Sequence, residues 1–498
     1  MLSLMIFIPI VTSILLFVLP QSLKVTRSLS LIASFAVMFV SFVLYSQFEA
    51  IGTMQFVEHY SWIDRYGISY HIGIDGVSLP LAMMVAILMP AVGIGLYHRN
   101  KTGFWLNLLL AQGGIMGALL ALDMMLFYLF WETMLLPIFF MIGLYGYGRK
   151  HFISMKFTIY TIFGSLIMLI GILFIGNIYH EQFGVYSFSL LELQNIKLSH
   201  SEGLFAFFAF MIAFAIKVPM FPFHTWLSDT YRSAPTGAVV VMSALMAKLG
   251  VYAIWRFLFT LFYETSYELA PYFIAVGLFG LIFFGIVAMH QNHLKRLFAY
   301  SSASHLSLIV VGIFIFDIYG LLGSSYFIAA HALSSGALFI MVGMLYERTH
   351  THSMDALGGI AERAPLFALL FAFLSLSIVG IPGTPGFVSE ILIVLGAFNY
   401  NIYIGLITTT TILVAILFMF SMLSKTIYGP AHNPKMKFHD LKPLELASLI
   451  PLVLLIIVMG IFPNLFLDKI KPTAELHIEI TSKNITKTIE KGDVSNVN

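Results

Sequence analysis

The chain has 498 residues, of which 59% are hydrophobic, 15% aromatic and only 10% charged. Soluble globular domains contain about 25% charged residues, so this composition excludes a soluble fold and predicts a membrane protein. The net charge of +2 and the absence of cysteine argue against a nucleic-acid-binding surface, disulfide bonds and cysteine-ligated metal centres in this chain. Any redox centre is therefore expected in a partner chain.

The N-terminal apolar run lacks both a basic segment before it and a small-residue cleavage site, so we interpret it as a retained first helix. Because about 20 apolar residues span a bilayer, the whole chain is predicted to be an all-α polytopic membrane protein with about fourteen transmembrane segments. The predicted segments are 2–20, 27–47, 76–98, 104–122, 123–147, 154–177, 203–226, 235–259, 271–290, 296–317, 320–346, 365–398, 401–425 and 444–467.

Cationic residues in the loops predict the orientation of these segments. If the N-terminus faces outward, the outward loops between helices contain only Arg65 and Lys197. The positive-inside rule favours this arrangement, with both termini on the outer face. The inward loops then contain Lys24, Arg27, Arg99, Lys101, Arg149, Lys150, Lys156, Arg232, Lys295, Arg296, Arg348, Arg363, Lys435, Lys437 and Lys442.

Ionisable residues inside the apolar segments are candidates for function, because a charge near the bilayer centre costs at least about 2.5 kcal/mol. Buried acids, amines and imidazoles that are linked by water can take up and release protons. The pattern predicts a proton pathway in which making and breaking a contact between the first acid and the first lysine switches the lysine's proton affinity. The candidates are Glu132, Lys217, Lys248, His305, His331 and Glu390, in the fifth, seventh, eighth, tenth, eleventh and twelfth segments.

Glu132, Lys217 and Lys248 can also be explained by purely structural roles. Glu132 and Lys217 can form a static buried ion pair that holds helices together. Lys248 can extend its ammonium to a membrane interface, although its position near the middle of the segment disfavours this. Arg256, near the outer end of the same segment, is predicted to be such an interfacial anchor.

The imidazoles and the second acid have simpler interpretations too. His305 and His331 can be neutral, hydrogen-bonded packing residues. Glu390 can face a water-filled vestibule without taking part in transport. Small residues beside Lys248 and His331 are interpreted as sites where helices approach closely. They are Ser243, Ala244, Ala247, Gly250, Ala332, Ser335 and Gly336.

Two segments contain a pair of prolines with P-x-x-P spacing. The first pair follows Lys217 in the seventh segment, and the second precedes Glu390 in the twelfth. Proline removes a backbone donor and clashes with the preceding turn, so both helices are predicted to be interrupted. The segments are five apart and cross in opposite directions, an arrangement typical of inverted repeats with broken helices near a transport site.

This pattern predicts a division of the chain into five units. Residues 1–98 contain the first three helices, 104–259 and 271–425 form two inverted five-helix repeats, and 444–467 form the last transmembrane helix. Residues 468–498 alternate charged and polar residues. We expect this polar tail to be a short appendage on the outer surface.

Several stretches resemble the antiporter-like subunits of respiratory complex I, over nearly the whole chain from the third segment to the thirteenth. Among those subunits, WETMLLP and an acid rather than a lysine in the twelfth segment resemble the M subunit (subunit 4 type) of bacterial NADH:quinone oxidoreductase. The stretches are GIDGVSLPL, FWETMLLPIFF, AIKVPMFPFHTWLSDTYRSAPTGAVVVMSALMAKLGVY, HLKRLFAYSSASHLSLI, AAHALSSGALFIMVG and GTPGFVSE.

The resemblance implies a role for each candidate. Glu132 and Lys217 match the family's ion pair, and Lys248 matches its central lysine. The two histidines match its bridging groups, and Glu390 matches its terminal proton site. The expected function is outward proton pumping across a bacterial inner membrane, driven by electron transfer from NADH to quinone in partner subunits.

The resemblance also implies the surroundings of the chain. FMN, iron–sulfur clusters and quinone are expected in partner subunits and no cofactor in this chain, which lacks nucleotide and metal motifs. An L-like and an N-like subunit are the expected neighbours. A subunit of a multi-subunit cation/proton antiporter is the alternative, because it shares the fold and most of these residues. A purely structural membrane spacer is disfavoured by the ionisable groups at membrane depth.

Overall fold

The computed structural model describes residues 1–19, 22–97, 101–430 and 438–495, with the side chains of the last helix described as far as residue 479. Its strands are β1 (Gln55–Ile63) and β2 (Ile68–Ile74). Its main helices are α1 (Leu2–Val18), α2 (Leu23–Gln47), α3 (Ser78–Gly95), α4 (Thr102–Leu120), α5 (Met124–Tyr145), α6 (Lys150–Phe183), α7 (His200–Lys217), α8 (Thr236–Leu261), α9 (Tyr263–Met289), α10 (Leu294–Phe314), α11 (Ile318–Thr349), α12 (Pro365–Val379), α13 (Pro385–Tyr400), α14 (Ile402–Tyr428), α15 (Pro443–Ile461) and α16 (Asn464–Ser495).

Within the described residues, twelve helices are long and apolar enough to cross a bilayer. The shorter apolar helices are α1, α12 and α13, and the last two together occupy the predicted segment 365–398. Every predicted segment overlaps an apolar helix, because helices satisfy their own backbone hydrogen bonds in lipid. The all-α polytopic class is confirmed, whereas the total of fourteen crossings and the inverted repeats remain predictions.

The helices differ in how much of their surface the rest of the protein covers. The apolar parts of α8 and α11 are 100% buried and that of α10 is 94% buried, whereas α2 and α15 are 33% buried. A helix that is apolar all round and covered on every side lies inside a bundle, and one with a single covered face lies at the lipid boundary. The fold therefore places Lys248, His305 and His331 on its most enclosed helices.

Both predicted helix interruptions are present. Helix α7 ends at Lys217, and the indole of Trp226 donates to the Ile216 carbonyl across the turns that follow, at 3.0 Å. Helix α12 ends before Gly380, and α13 begins at Pro385, where the fixed φ of proline suits a first helical position.

The β-hairpin is a feature that the sequence analysis did not predict. Its strands pair antiparallel, and the turn between them uses Gly67 with a φ of 63°. The hairpin is tied to the junction between α4 and α5, where the Leu122 amide donates to the His71 carbonyl at 2.8 Å. Asp123 accepts from the Ser69 amide at 3.0 Å and also caps α5. The hairpin therefore holds the end of α5, the helix that carries Glu132.

The C-terminal tail is not a simple appendage, at least as far as residue 479. Ile470, Thr473 and Ala474 of α16 are buried, and the helix packs along α11. The Thr473 hydroxyl accepts a hydrogen bond from the Gly76 amide at 3.2 Å. The expectation of an appendage is wrong for this part because the polar residues lie on one face and small or apolar residues on the other.

The orientation in the membrane remains a prediction. Three of the cationic residues used for it lie outside the described residues, namely Arg99, Lys435 and Lys437. Several others lie at helix ends, including Lys150 and Arg348, as the positive-inside argument requires.

Candidate functional site

Glu132 and Lys217 lie on neighbouring helices without direct contact. Lys217 is the last residue of α7 and is 3% exposed, with its ammonium 4.8 Å from the centroid of the Trp131 ring. One carboxylate oxygen of Glu132, Oε1, is buried without a hydrogen-bond partner among the described residues. The two groups interact electrostatically. A static ion pair between Glu132 and Lys217 is therefore not present in this structure.

Lys248 lies at the centre of α8 and is completely buried, so its ammonium does not reach a membrane interface. It belongs to a short α-helical stretch, Ala247–Ala253, between two π-helical stretches, Val241–Met246 and Ile254–Leu258. Its ammonium donates to the Ser243 carbonyl at 2.5 Å. π-helical turns are rare and often occur at functional sites.

His305 and His331 face each other between α10 and α11. Their ring centroids are 5.2 Å apart, and the ring of Phe327 packs edge-on against both. Both histidines interact electrostatically with Lys248. None of their ring nitrogens makes a hydrogen bond of normal geometry to another described residue. Hydrogen bonds to other described residues therefore do not account for either imidazole.

Glu390 closes the same cluster from α13. Its side chain is 1% exposed, and Oε1 lies 3.7 Å from Nε2 of His305. The chain wraps around the carboxyl group at the interruption before α13. Gly380 has a φ of +76°, and a Cβ added there would lie 2.6 Å from Oε2 of Glu390. The carboxyl group is thus enclosed and does not face an open vestibule.

The structure separates the candidates into two groups. His331, His305 and Glu390 form one buried cluster, and Lys248 of α8 acts on both histidines electrostatically. Glu132 and Lys217 form the second group, which reaches the first through the α7–α8 contact. Gly250 permits this approach, since a Cβ there would lie 3.0 Å from Cβ of Lys217.

Serines around the central cluster were not recognised as site residues. The Ser243 and Ser302 hydroxyls lie 3.4 Å apart, and those of Ser334 and Ser377 lie 2.8 Å apart. Ser335 donates to the His331 carbonyl at 2.5 Å. The serine-rich stretch AYSSASHLSL in an apolar helix is the sequence signal that could have identified Ser302. Small residues also let α8 and α11 pack closely, because Gly336 of α11 approaches Ala244 of α8.

Arg256 is not an interfacial anchor. It is 3% exposed, and Nη2 lies 2.5 Å from Oδ1 of Asp75, which is 1% exposed. The prediction was wrong because a buried carboxylate more than 180 positions earlier in the sequence neutralises the guanidinium. Asp75 was noticed only as part of a motif, not as a partner for a charge.

Comparisons with known proteins fit this geometry. The profile of a family described as "NADH:quinone oxidoreductase/Mrp antiporter, TM" matches residues 121–417. A relative from Rickettsia typhi named NADH-quinone oxidoreductase subunit M is 34% identical over 479 residues, which cover 94% of this chain and 96% of the relative. The chain belongs to the family of antiporter-like M subunits.

Solved structures give the same fold for this antiporter-like family. A chain of respiratory complex I from Thermus thermophilus with bound NADH aligns with a TM-score of 0.89 and 27% identity, covering 97% of this chain and all of that one. A chain of the Mrp complex from Dietzia sp. aligns with a TM-score of 0.86 and 19% identity, covering 97% and 98% of the two chains. The second likeness shows the fold alone. The family profile includes every candidate from Glu132 to Glu390, but not Asp75.

Proposed function

We propose that this multi-pass membrane protein is a proton-translocating membrane-arm subunit of an NADH:quinone oxidoreductase. Electron transfer from NADH to quinone in partner subunits drives protons outward through it. The observation that carries the proposal is the buried cluster of His331, His305 and Glu390, which lies beside the buried Lys248 of the fully enclosed α8. Isolated charges are expensive in lipid, and four adjoining ionisable groups have no structural purpose that apolar residues would not serve better.

The central cluster can carry a proton along its length. The imidazole nitrogens and the Glu390 oxygens are buried without hydrogen bonds to the residues that the structure describes. Buried polar groups of this kind are normally satisfied by ordered water, and the nearby serine hydroxyls offer additional partners. Water between Lys248, the histidines and Glu390 then forms a chain in which each group accepts a proton and passes one on.

The Glu132–Lys217 pair supplies the coupling step. A carboxylate close to an ammonium stabilises its charged form, and its withdrawal favours loss of the proton. The separated arrangement in this structure is one state of such a switch, and formation of the contact is the other. Because Lys217 adjoins α8 at Gly250, a change in its charge acts on Lys248 through a low-dielectric interior.

The proposal also specifies the surroundings. NADH oxidation, FMN, iron–sulfur clusters and quinone belong to partner subunits, and L-like and N-like subunits flank the chain. The protein lies in the bacterial inner membrane with both termini on the periplasmic face. A Glu390 carboxyl group beyond the helix interruption is then the last group before proton release to that side.

The test is NADH-driven lumen acidification in inverted membrane vesicles, comparing the wild type with Glu132→Gln at matched assembly. We expect acidification to collapse together with NADH oxidation. Glu181→Gln, an acid on the exposed end of α6, is the control and retains both activities. Wild-type rates in Glu132→Gln would refute the coupling role. If deletion of the chain left both activities intact and abolished sodium/proton exchange, the antiporter alternative would replace this proposal.

A further inference from the structure

A second buried charge pair lies on the helix that carries Lys248. Oδ1 of Asp75 accepts from Arg256 Nη2 at 2.5 Å, from the Ser78 amide at 3.0 Å and from the Ser78 hydroxyl at 2.9 Å. Arg256 Nε donates to the Tyr252 hydroxyl at 3.0 Å. The Tyr252 hydroxyl in turn donates to the Leu119 carbonyl at 2.9 Å. The pair therefore joins the start of α3, the second half of α8 and the end of α4.

The C-terminal helix covers this pair. A Cβ added to Gly76 would lie 2.1 Å from the Lys469 carbonyl oxygen, so α16 crosses directly over the turn that contains Asp75. His477 packs its ring edge-on against Trp255, with centroids 5.8 Å apart. It also interacts electrostatically with both Asp75 and Arg256. Without this cover, the ion pair would lie open at the end of the bundle.

The position of Arg256 links the pair to Lys248. Arg256 lies in the second π-helical stretch, and Tyr252 is one turn after Lys248 on the α-helical stretch between the two. A π-helical turn contains one extra residue, and its conversion to α-helix would rotate one side of α8 against the other by about 100°. A fixed contact at Arg256 opposes such a rotation of the part of α8 that contains Lys248.

We propose that Asp75 and Arg256, covered by α16, are positioning residues that hold Lys248 in register with His331 and His305. Neither residue takes up the transported proton. The inference rests on the proposed function, because it assigns Lys248 a part in proton transfer. It adds two residues and the C-terminal helix to the apparatus that determines the transfer geometry.

The experiment compares two variants with the wild type in inverted vesicles. Asp75→Asn retains an oxygen for the Ser78 hydrogen bonds but leaves Arg256 without its counter-charge. The double variant Asp75→Asn with Arg256→Met removes both charges and therefore the penalty of a lone buried charge. We expect both to lower the rate of lumen acidification per assembled complex by about fivefold or more, and to shift its pH profile.

The control is a different buried ion pair, Arg348–Glu445, which lies away from Lys248. Arg348 of α11 and Glu445 of α15 are joined by two hydrogen bonds, at 2.9 and 2.6 Å. We expect Glu445→Gln to reduce assembly without changing acidification per assembled complex. An equal loss in Glu445→Gln would overturn the positioning role, as would wild-type acidification and an unchanged pH profile in the double variant. If neither neutral variant assembles, the deciding variant is Arg256→Lys, because it keeps the positive charge and loses the forked geometry of the guanidinium. A wild-type acidification rate and pH profile in Arg256→Lys would overturn the positioning role.

A parallel Lys248→Met variant separates the two proposals. If Lys248→Met acidifies the lumen at the wild-type rate, the proposed function fails. If Lys248→Met is inactive while the Asp75 and Arg256 variants behave as wild type, only the positioning role fails.

Discussion

Nε2 of His305 lies 3.7 Å from Oε1 of Glu390, and both side chains are 1% exposed. This distance exceeds a normal hydrogen bond, yet the two groups lie on different helices and face each other. His305 also faces His331, whose ring centroid is 5.2 Å from its own. The imidazole therefore stands between a second imidazole and a carboxyl group, and a proton reaching either side of it has a neighbouring acceptor.

Replacement of Glu390 by glutamine tests this relationship. The amide keeps the shape of the side chain but does not accept and release a proton. We expect Glu390→Gln to lose lumen acidification per assembled complex. Thermal stability is expected to stay the same or rise, because the amide has no charged form whose burial carries a desolvation cost. Wild-type acidification in this variant would contradict the role of Glu390 as a proton site.

Gly380→Ala tests the enclosure of the same carboxyl group. The new Cβ would lie 2.6 Å from Oε2 of Glu390 at a φ of +76°. Gly383→Ala is a matched control, since its φ is +89° and no atom lies within 4 Å of an added Cβ. Both variants are expected to lose about 1 kcal/mol of stability from backbone strain. Only Gly380→Ala should also reduce acidification, and equal acidification rates in the two variants would show that the carboxyl position is not critical.

The docking of α16 should depend on pH through His477. Burial and the nearby Arg256 lower the pKa of His477 to about 4, although Asp75 acts in the opposite direction. The neutral imidazole is thus favoured in the folded protein, so its stabilising contribution is complete above pH 6.5 and is lost as the pH falls from 6.5 toward 4. We expect hydrogen-exchange protection of residues 469–479 to decrease on acidification. His477→Phe should remove this decrease; the same acid dependence in the variant would assign it to another group.

The turn that contains Asp75 is also destabilised by acid, but only at a lower pH than His477. Burial alone would raise the pKa of Asp75, but the guanidinium and hydrogen bonds of Arg256, with the Ser78 amide, outweigh it and hold the pKa below its usual value. Asp75 therefore remains ionised over the physiological range, and its stabilising contribution disappears only in strong acid, as the pH falls through the lowered pKa. A loss of α16 protection near pH 6 is consequently expected from His477 and not from Asp75.

Arg348→Lys tests whether a structural ion pair can be separated from transport. Arg348 makes two hydrogen bonds to Glu445 and donates to the carbonyls of Met344, His439 and Asp440. Lysine cannot reproduce this fork, so we expect the free energy of unfolding to fall by about 1–3 kcal/mol. Acidification per assembled complex should remain at the wild-type level. Loss of acidification at full assembly would mean that α15 also takes part in coupling.

The sequence was most informative about features that depend on local properties. Apolar length predicted the membrane segments, and proline chemistry predicted the interruptions after Lys217 and before Glu390. Intramembrane charges were visible for the same reason, because each one contrasts with an apolar neighbourhood. The candidate residues were therefore found one by one, without knowledge of their contacts.

The tertiary structure decided which of these groups meet. It separated Glu132 from Lys217, brought His305 to Glu390, and paired Arg256 with Asp75 where the sequence indicated an interfacial anchor. It also placed α16 over the ion pair, although composition suggested an appendage. Hydropathy and helix interruption follow from a few consecutive residues in lipid, whereas the partner of a buried charge depends on how distant helices pack, and no local pattern specifies that.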